Sequence, residues 1–351
     1  MKKPTNNNKD NRQAIKNRKK KKRKIFLLFM IPILSILLFG AVYTAYMVAT
    51  AENAIGDSYH SLNRDKPVTV DPLKDTISML IMGVDNTEKR GLESTRTDAL
   101  IYLTINPKNH EINMVSVPRD TYTTIFENGQ ATHRNKINSA FEYGEEKAAI
   151  ETVENYLDVP VHYYATFNFD SFIEIVDALD GIDIDVPVSI SEQNSEGKKH
   201  QIELEKGYQR LNGEEALALA RTRKIDNDIK RGERQQLIIQ GIVKKAFKAG
   251  SITKLSNVVE VIGGNMKTDL RFEDIVGIAQ TGLTGSYDFH SYIFDWTDFT
   301  KNGASMVEVY PDSREYISHK FKVALNLEEP DERDAEGYIF HTNYHTDYAN
   351  R

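Results

Sequence analysis

Residues 220–237, ARTRKIDNDIKRGERQQL, hold Arg221, Arg223, Arg231 and Arg234 together with Asp226, Asp228 and Gln235. Guanidinium groups are planar, permanently charged forks, suited to oxyanions gripped at two points, phosphate above all. Arg221 and Arg223 are two residues apart just past an expected helix end, so an extended backbone would turn both to one side. Asp228 can cap the next helix. Arg231 and Arg234 would then lie in its first turn, where the helix dipole favours anions. Arg231, Gln235, Ile238 and Ile242 fall on one face at helical spacing, polar at its start and apolar afterwards. That pattern suits a ligand with an anionic head and an apolar tail. It also suits an ordinary amphipathic helix packing its aliphatic side into a core.

Other candidates lie upstream. Asp85 follows a strand pattern in LIMGVD, and Arg119 follows another in VSVPRD. Open α/β sheets bind ligands outside the carboxyl ends of their strands. Between them, Arg96 and Asp98 are two apart in STRTD and can converge if extended. Asp85 and Asp98 offer hard oxygen ligands of the kind Mg²⁺ takes, with phosphate oxygens completing the shell. Lys136, in NKIN before a helix start, can add a phosphate contact. The plainer alternatives are a turn-forming Asp85, a local Arg119–Asp120 pair, ordinary salt bridges and a solvated Lys136.

The elements that must position these residues interleave. Strands are expected at 77–82, 99–105, 112–117, 162–167, 182–186, 288–294 and 305–309. Helices are expected from Asn138 to about Tyr156, at 170–179, 213–220, 231–249 and 252–262, and near 314–327. Residues 106–109, NPKN, read as a turn and 189–207 as a polar loop. Interleaving predicts an α/β fold, a three-layer sandwich with a central mixed β-sheet flanked by helices. An apolar slot near the sheet would draw on Phe141, Val153, Phe169, Phe172, Val176, Ile238 and Ile242, residues that equally suit a plain core.

Charge divides the chain. Residues 1–24 carry twelve Lys/Arg and one Asp, while the remainder has 33 Lys/Arg against 50 Asp/Glu. The acidic body makes nucleic acid a poor partner. Absence of cysteine excludes disulfides, thiolate metal sites and a cysteine nucleophile. Residues 25–48, IFLLFMIPILSILLFGAVYTAYMV, hold no charge and match the roughly 20 residues of a bilayer-spanning helix. The basic tail before them predicts an N-terminus inside the cell and a body outside, bound to the membrane bilayer by a single pass. Ala49-Thr50-Ala51 matches a signal-peptidase site, but a cleaved apolar region usually runs only about 7–15 residues. The expected organisation is therefore a basic cytoplasmic tail (1–24), a transmembrane helix (25–48), an extracellular tether (49–75), a catalytic domain (76–328) and a disordered acidic tail (329–351).

In order along the chain, IMGVDN, STRTDAL, SVPRDTY, NKINSAF, DALDGIDIDVP, LNGEEALALARTR and DNDIKRGERQQ resemble the LytR-CpsA-Psr family of bacterial wall enzymes. The resemblance covers about residues 77–246. It implies an α/β sandwich whose core holds a polyprenyl chain, with magnesium assisting. It implies transfer of a glycopolymer, such as wall teichoic acid or capsule, from a polyprenyl diphosphate carrier to a peptidoglycan muramic acid hydroxyl, at the outer face of a Gram-positive type membrane. By motif, Asp85 and Asp98 would be the metal acids. Arg96, Arg119, Arg221, Arg223 and Arg231 would grip the diphosphate, with Gln235 beside it and Lys136 as a further contact. Asp98, Arg119, Arg221 and Arg223 would serve the chemistry directly. Asp98 or Asp85 would be the nearest candidate base, although a metal-bound carboxylate is a poor one. The family often has Gly-Gly where this chain has Asp180-Gly181. The alternatives are a lipid-diphosphate hydrolase, a lipid-binding module or a membrane-tethered transcriptional regulator.

Overall fold

A computed structural model describes residues 49, 59–62, 69–84, 96–222, 228–248, 266–282, 285–335 and 337–338. The chain divides into two units, Met1–Thr50 and Ala51–Arg351, and the account below concerns the second. The expected membrane span, basic tail and 252–262 helix lie outside the described residues, as do Asp85 and Arg223. Among the described residues no helix is long and apolar enough to cross a membrane.

Six strands form the central sheet: β1 (Ile77–Val84), β2 (Thr97–Asn106), β3 (Glu111–Ser116), β4 (Tyr163–Phe167), β5 (Met266–Thr268) and β6 (Asp288–Tyr292). Their order is β5-β4-β1-β2-β3-β6. β1 pairs parallel with β4, and β3 with β6, while the other three pairs are antiparallel. The sheet is thus mixed, as expected. The carboxyl ends of β1, β3, β4 and β6 share one edge with the start of β2.

Strand alternation divides the core between the two faces. On β1, Leu80, Met82 and Val84 join one cluster and Ile77, Met79 and Ile81 the other. The first face is covered by helices α1 (Ala140–Leu157) and α6 (Pro311–Ala324), which contribute Val153, Leu157, Ile317 and Phe321. The second is covered by α4 (Asp228–Lys248) and α5 (Phe272–Thr281), through Ile239, Ile242 and Ile275. A third cluster joins α2 (Phe169–Ala178), α3 (Gly213–Arg221) and the hairpin Ile182–Val186/Gly207–Leu211 to Ile238 of α4.

Local chemistry sets the helix ends. Asn168 caps α2 by accepting from the Ser171 N–H at 2.8 Å. Asn212 and Glu215 form a reciprocal capping box at α3. Two glycines inside α4 admit close approach. A Cβ on Gly241 would stand 2.6 Å from Ile184 Cδ1, and one on Gly232 3.1 Å from the Ser116 Cβ. Each glycine costs a helix about 1 kcal/mol relative to alanine.

Several expectations change. Asn138 sits inside a short 3-10 turn, Ile137–Ser139, and caps nothing. Residues 189–207 are not a plain loop but carry the hairpin Ile190–Glu192/Ile202–Leu204. Two further hairpins, Tyr122–Glu127/Gln130–Lys136 and Trp296–Lys301/Ala304–Val309, turn at Asn128-Gly129 and Asn302-Gly303 with positive φ throughout. Asn-Gly between β-rich runs is a strong hairpin signal. The acidic segment expected to fray after Glu328 instead forms a 3-10 turn, Glu332–Asp334, tied back to α6. Asp180 takes a left-handed φ of 60° ahead of Gly181 at 74°. Asp tolerates that region through its short polar side chain, so the Gly-Gly departure leaves this turn intact.

Candidate functional site

The site grows from an irregularity in β2. The β1–β2 register pairs Gly83 with Ala99 but Val84 with Thr97, leaving Asp98 as the extra residue of a bulge. A bulge re-aims side chains, and here Asp98 and its neighbour Ala99 both line one pocket. Arg119, three residues past β3, donates from Nη1 to the Asp98 carboxylate. Arg231, in the opening turns of α4, donates from Nη2 to the Asp98 backbone carbonyl. Asp98 is therefore gripped at both its side chain and its backbone.

Behind Arg119 the charges alternate. Asp120 lies 3.8 Å from Arg119 Nε and accepts Lys136 Nζ at 2.8 Å. Lys136, at the end of a hairpin strand, thus spends its charge on Asp120 and supports Arg119 from behind. Arg96 diverges from Asp98: its Nε donates to Glu142 of α1 at 2.7 Å. The expected convergence of Arg96 and Asp98 does not occur, because the bulge breaks the alternation that would have aligned them.

The pocket encloses about 600 Å³, part of it open to solvent. Its floor is the second sheet face, with Ile81, Gly83, Ala99 and Ile101, and its walls are Phe167, Phe169, Phe172, Leu217, Ala220, Ile238 and Ile239. Its polar lining residues are Asp98, Asn168, Arg221, Arg231 and Gln235, with Arg231 bonded to the Asp98 carbonyl and Gln235 one helical turn further on. Arg231 and Gln235 are 6% and 9% exposed. Ser116 Oγ donates to Gln235 Oε1 at 3.3 Å. Arg221 ends α3 rather than lying beyond it, and its guanidinium stands 4.9 Å over the Phe169 ring. Among the described residues it meets no carboxylate.

The arginine-rich stretch therefore divides. Arg221 and Arg231 face the pocket. Arg234, 2% exposed, donates to the Thr222 carbonyl at 2.7 Å, and Thr222 in turn donates to buried Glu192 at 2.7 Å. Arg234 ties the chain after α3 into the scaffold. Of the expected slot residues, Phe169, Phe172 and Ile238 line the pocket, while Ile242 and Val176 pack in the core beside it. Phe141 and Val153 belong to the opposite sheet face. Sequence reasoning missed Gly83, Ala99, Asn168 and Leu217, none of which stands out without the fold.

Asp98 is the one carboxylate among the described residues that line the pocket, and its Oδ1 already accepts from Arg119.

The LytR_cpsA_psr family matches residues 45–322 of this chain. The polyisoprenyl-teichoic acid–peptidoglycan teichoic acid transferase TagU of Bacillus subtilis (strain 168) is 38% identical over 268 residues, covering 74% of this chain and 83% of that protein. Among solved structures, B. subtilis TagV superposes with a TM-score of 0.64 at 30% identity, covering 73% of this chain and 99% of that one. TagT bound to LIIa-WTA gives 0.64 at 29% identity, covering 76% and 99%.

Proposed function

The chain belongs to the LytR-CpsA-Psr family, and from that premise we propose a membrane-anchored phosphotransferase. It moves an anionic glycopolymer, of wall teichoic acid or capsule type, from a polyprenyl diphosphate to a muramic acid hydroxyl of peptidoglycan. The observation that carries this reading is the pocket's polarity. A chamber walled by apolar side chains also carries two arginines, a carboxylate and two amides in its lining. That arrangement matches an isoprenoid chain ending in a diphosphate. TagU, 38% identical, bears the name of such a transferase.

In the reaction, the acceptor hydroxyl oxygen bonds to the phosphorus carrying the glycopolymer. The bridging bond of the diphosphate breaks, the hydroxyl loses its proton, and polyprenyl phosphate leaves. Negative charge grows on the departing phosphate and the equatorial oxygens. Arginines fixed in advance stabilise that charge more in the transition state than in the ground state. Arg221 and Arg231 take the diphosphate at the pocket mouth. Arg119, held by Asp98 and braced through Asp120 and Lys136, supports the transferring phosphate. Asp98, with Asp85, would hold Mg²⁺, which neutralises phosphate charge when bound. Asp98, already engaged by Arg119, acts in charge placement rather than as the base. Arg223 is assigned to the diphosphate by motif, and residues 25–48 to a single-pass anchor with the catalytic body outside the cell.

The decisive assay supplies the full-length protein in detergent with polyprenyl-diphosphate glycan, Mg²⁺ and uncrosslinked peptidoglycan. A phosphodiester-linked product is expected. Phosphate released equally well without peptidoglycan would make the protein a hydrolase instead. A reporter fused after Arg351 that worked only in the cytoplasm would overturn the topology.

A further inference from the structure

Thr222, the residue that follows Arg221, is held at three atoms. Its N–H donates to the Ala218 carbonyl at 3.1 Å and closes α3. Its hydroxyl donates to a Glu192 carboxylate oxygen at 2.7 Å. Its carbonyl accepts from Arg234 Nη2 at 2.7 Å. Thr222, Glu192 and Arg234 are all buried. The two side-chain partners come from different elements, Glu192 from the end of the strand Ile190–Glu192 and Arg234 from α4.

A helix end needs no such arrangement. The chain leaves α3 through Thr222 at φ −59° and ψ 133°, and a backbone N–H bond already closes the last turn. The hydroxyl is therefore free to serve a tertiary contact. Burying a carboxylate and a guanidinium is costly unless both are bonded, and here both spend bonds on one residue. The hairpin that supplies Glu192 is itself fixed, since Ile190 and Leu204 share a core cluster with Ala216 and Leu219 of α3.

The two arginines of the pocket are oriented by different means. Arg231 is bonded to the Asp98 carbonyl. Arg221 has the Phe169 ring at 4.9 Å and, among the described residues, no side-chain hydrogen bond. A ring face holds a cation at a distance but leaves the guanidinium fork free to turn above it. The direction in which Arg221 presents that fork then depends on its backbone, the last turn of α3. We infer that Glu192 and Thr222 are positioning residues for the diphosphate grip. Through the Thr222 hydroxyl, Glu192 holds the end of α3 so that Arg221 meets the phosphate oxygens without reorganising. The inference rests on the transferase reading above, and specifically on its diphosphate site.

A double-mutant cycle tests it, with full-length protein in detergent, Mg²⁺ and geranylgeranyl diphosphate as the probe. Thr222→Val keeps the side-chain shape and removes the hydroxyl. It should weaken probe binding about tenfold, the scale of one hydrogen bond to a charged group. Thr222→Ser keeps the hydroxyl and should bind as the unaltered protein does. In an Arg221→Ala background, Thr222→Val should cost nothing further, because a residue that acts through Arg221 has nothing left to position. Should Thr222→Val not fold, Glu192→Gln carries the same test. It keeps an acceptor oxygen but loses the charge that strengthens the bond, and should cost about threefold with Arg221 present and nothing without it. Equal losses in both backgrounds, or no loss in either, would overturn the positioning role and leave the transferase reading standing. No probe binding by the unaltered protein would overturn both.

Discussion

Two clusters of partly buried charge differ in one respect. On α6, His319 is 1% exposed, with Nδ1 2.8 Å from Glu328 and Nε2 2.8 Å from Asp334 and 3.4 Å from Asp331. Lys320, Lys322 and Arg333 pair with those same carboxylates. The cluster is closed on itself and staples 328–334 to the helix. At the pocket mouth Arg221 rests on an aromatic ring, without a carboxylate among the described residues, and faces a cavity. A charge cluster that satisfies itself holds structure; one that keeps charge beside a cavity is ready for a ligand. Although His319, Asp331 and Asp334 are close enough to hold a metal ion, their acids are already matched by cations, which removes the need for one.

The comparison is most sharply tested at the pocket. Arg119→Ala and Arg221→Ala should each lower transfer about 100- to 1000-fold, the scale for losing a fixed donor to developing charge. The circular dichroism spectrum should not change. Arg221→Lys should recover little, since an ammonium lacks the planar fork. Undiminished product from either alanine variant would refute these roles.

Filling the chamber should have the next largest effect. Ala220→Trp places an indole among the pocket walls and should raise the donor KM about 10- to 100-fold, the cost of displacing a few apolar contacts. The acceptor KM should hold. If both constants moved together, the pocket would not be the separate lipid chamber described.

At the closed cluster the expectation reverses. His319→Ala should leave transfer unchanged while lowering unfolding stability by about 1–3 kcal/mol, the range for stranding hydrogen-bonded polar groups. Urea denaturation reads the stability and the wall-transfer assay the activity. Loss of transfer at unchanged stability would erase the distinction between the two regions.

The smallest effect is in acid. The hydrogen bond to His319, aided by Lys322, lowers the Glu328 carboxyl. Burial opposes ionisation of Asp334, but bonds from Lys320, the Asp331 N–H and His319 outweigh it and hold that carboxyl at about 2. Groups depressed by folding contribute stability that is present above the unfolded value, near 4, and lost as pH falls through the folded one. Protection of the amides in 328–334, measured as exchange corrected for its intrinsic pH dependence, should therefore fall between about pH 4 and 2, before the central sheet opens. Protection that is unchanged across that range, or that falls on raising the pH, would contradict the assigned pairs.

Legibility followed how local each signal was. The strands at 182–186 and 77–82, the latter extended to 84 in the structure, and the face formed by Arg231, Gln235 and Ile238 are readable, because periodicity depends on neighbours along the chain. The hairpin at 122–136 was also marked, by Asn128-Gly129, and was overlooked. The bulge at Asp98 had no such mark. It follows from the mismatch between two strands, and it sent Arg96 to Glu142 instead of to Asp98.

Residue types and their order carried the resemblance to the family, the α/β class and an arginine-rich stretch leading into an apolar face, since motifs, periodicity and spacing are read along the chain. Only the tertiary structure separated Arg221 and Arg231, at the pocket, from Arg234, in the scaffold. Only it moved Phe141 and Val153 to the far side of the sheet, and only it brought Glu192 onto Thr222, 30 residues further along the chain. The reason is physical: a side chain's charge and shape are local properties, but whether it meets a partner or a cavity depends on chain segments that only folding brings together.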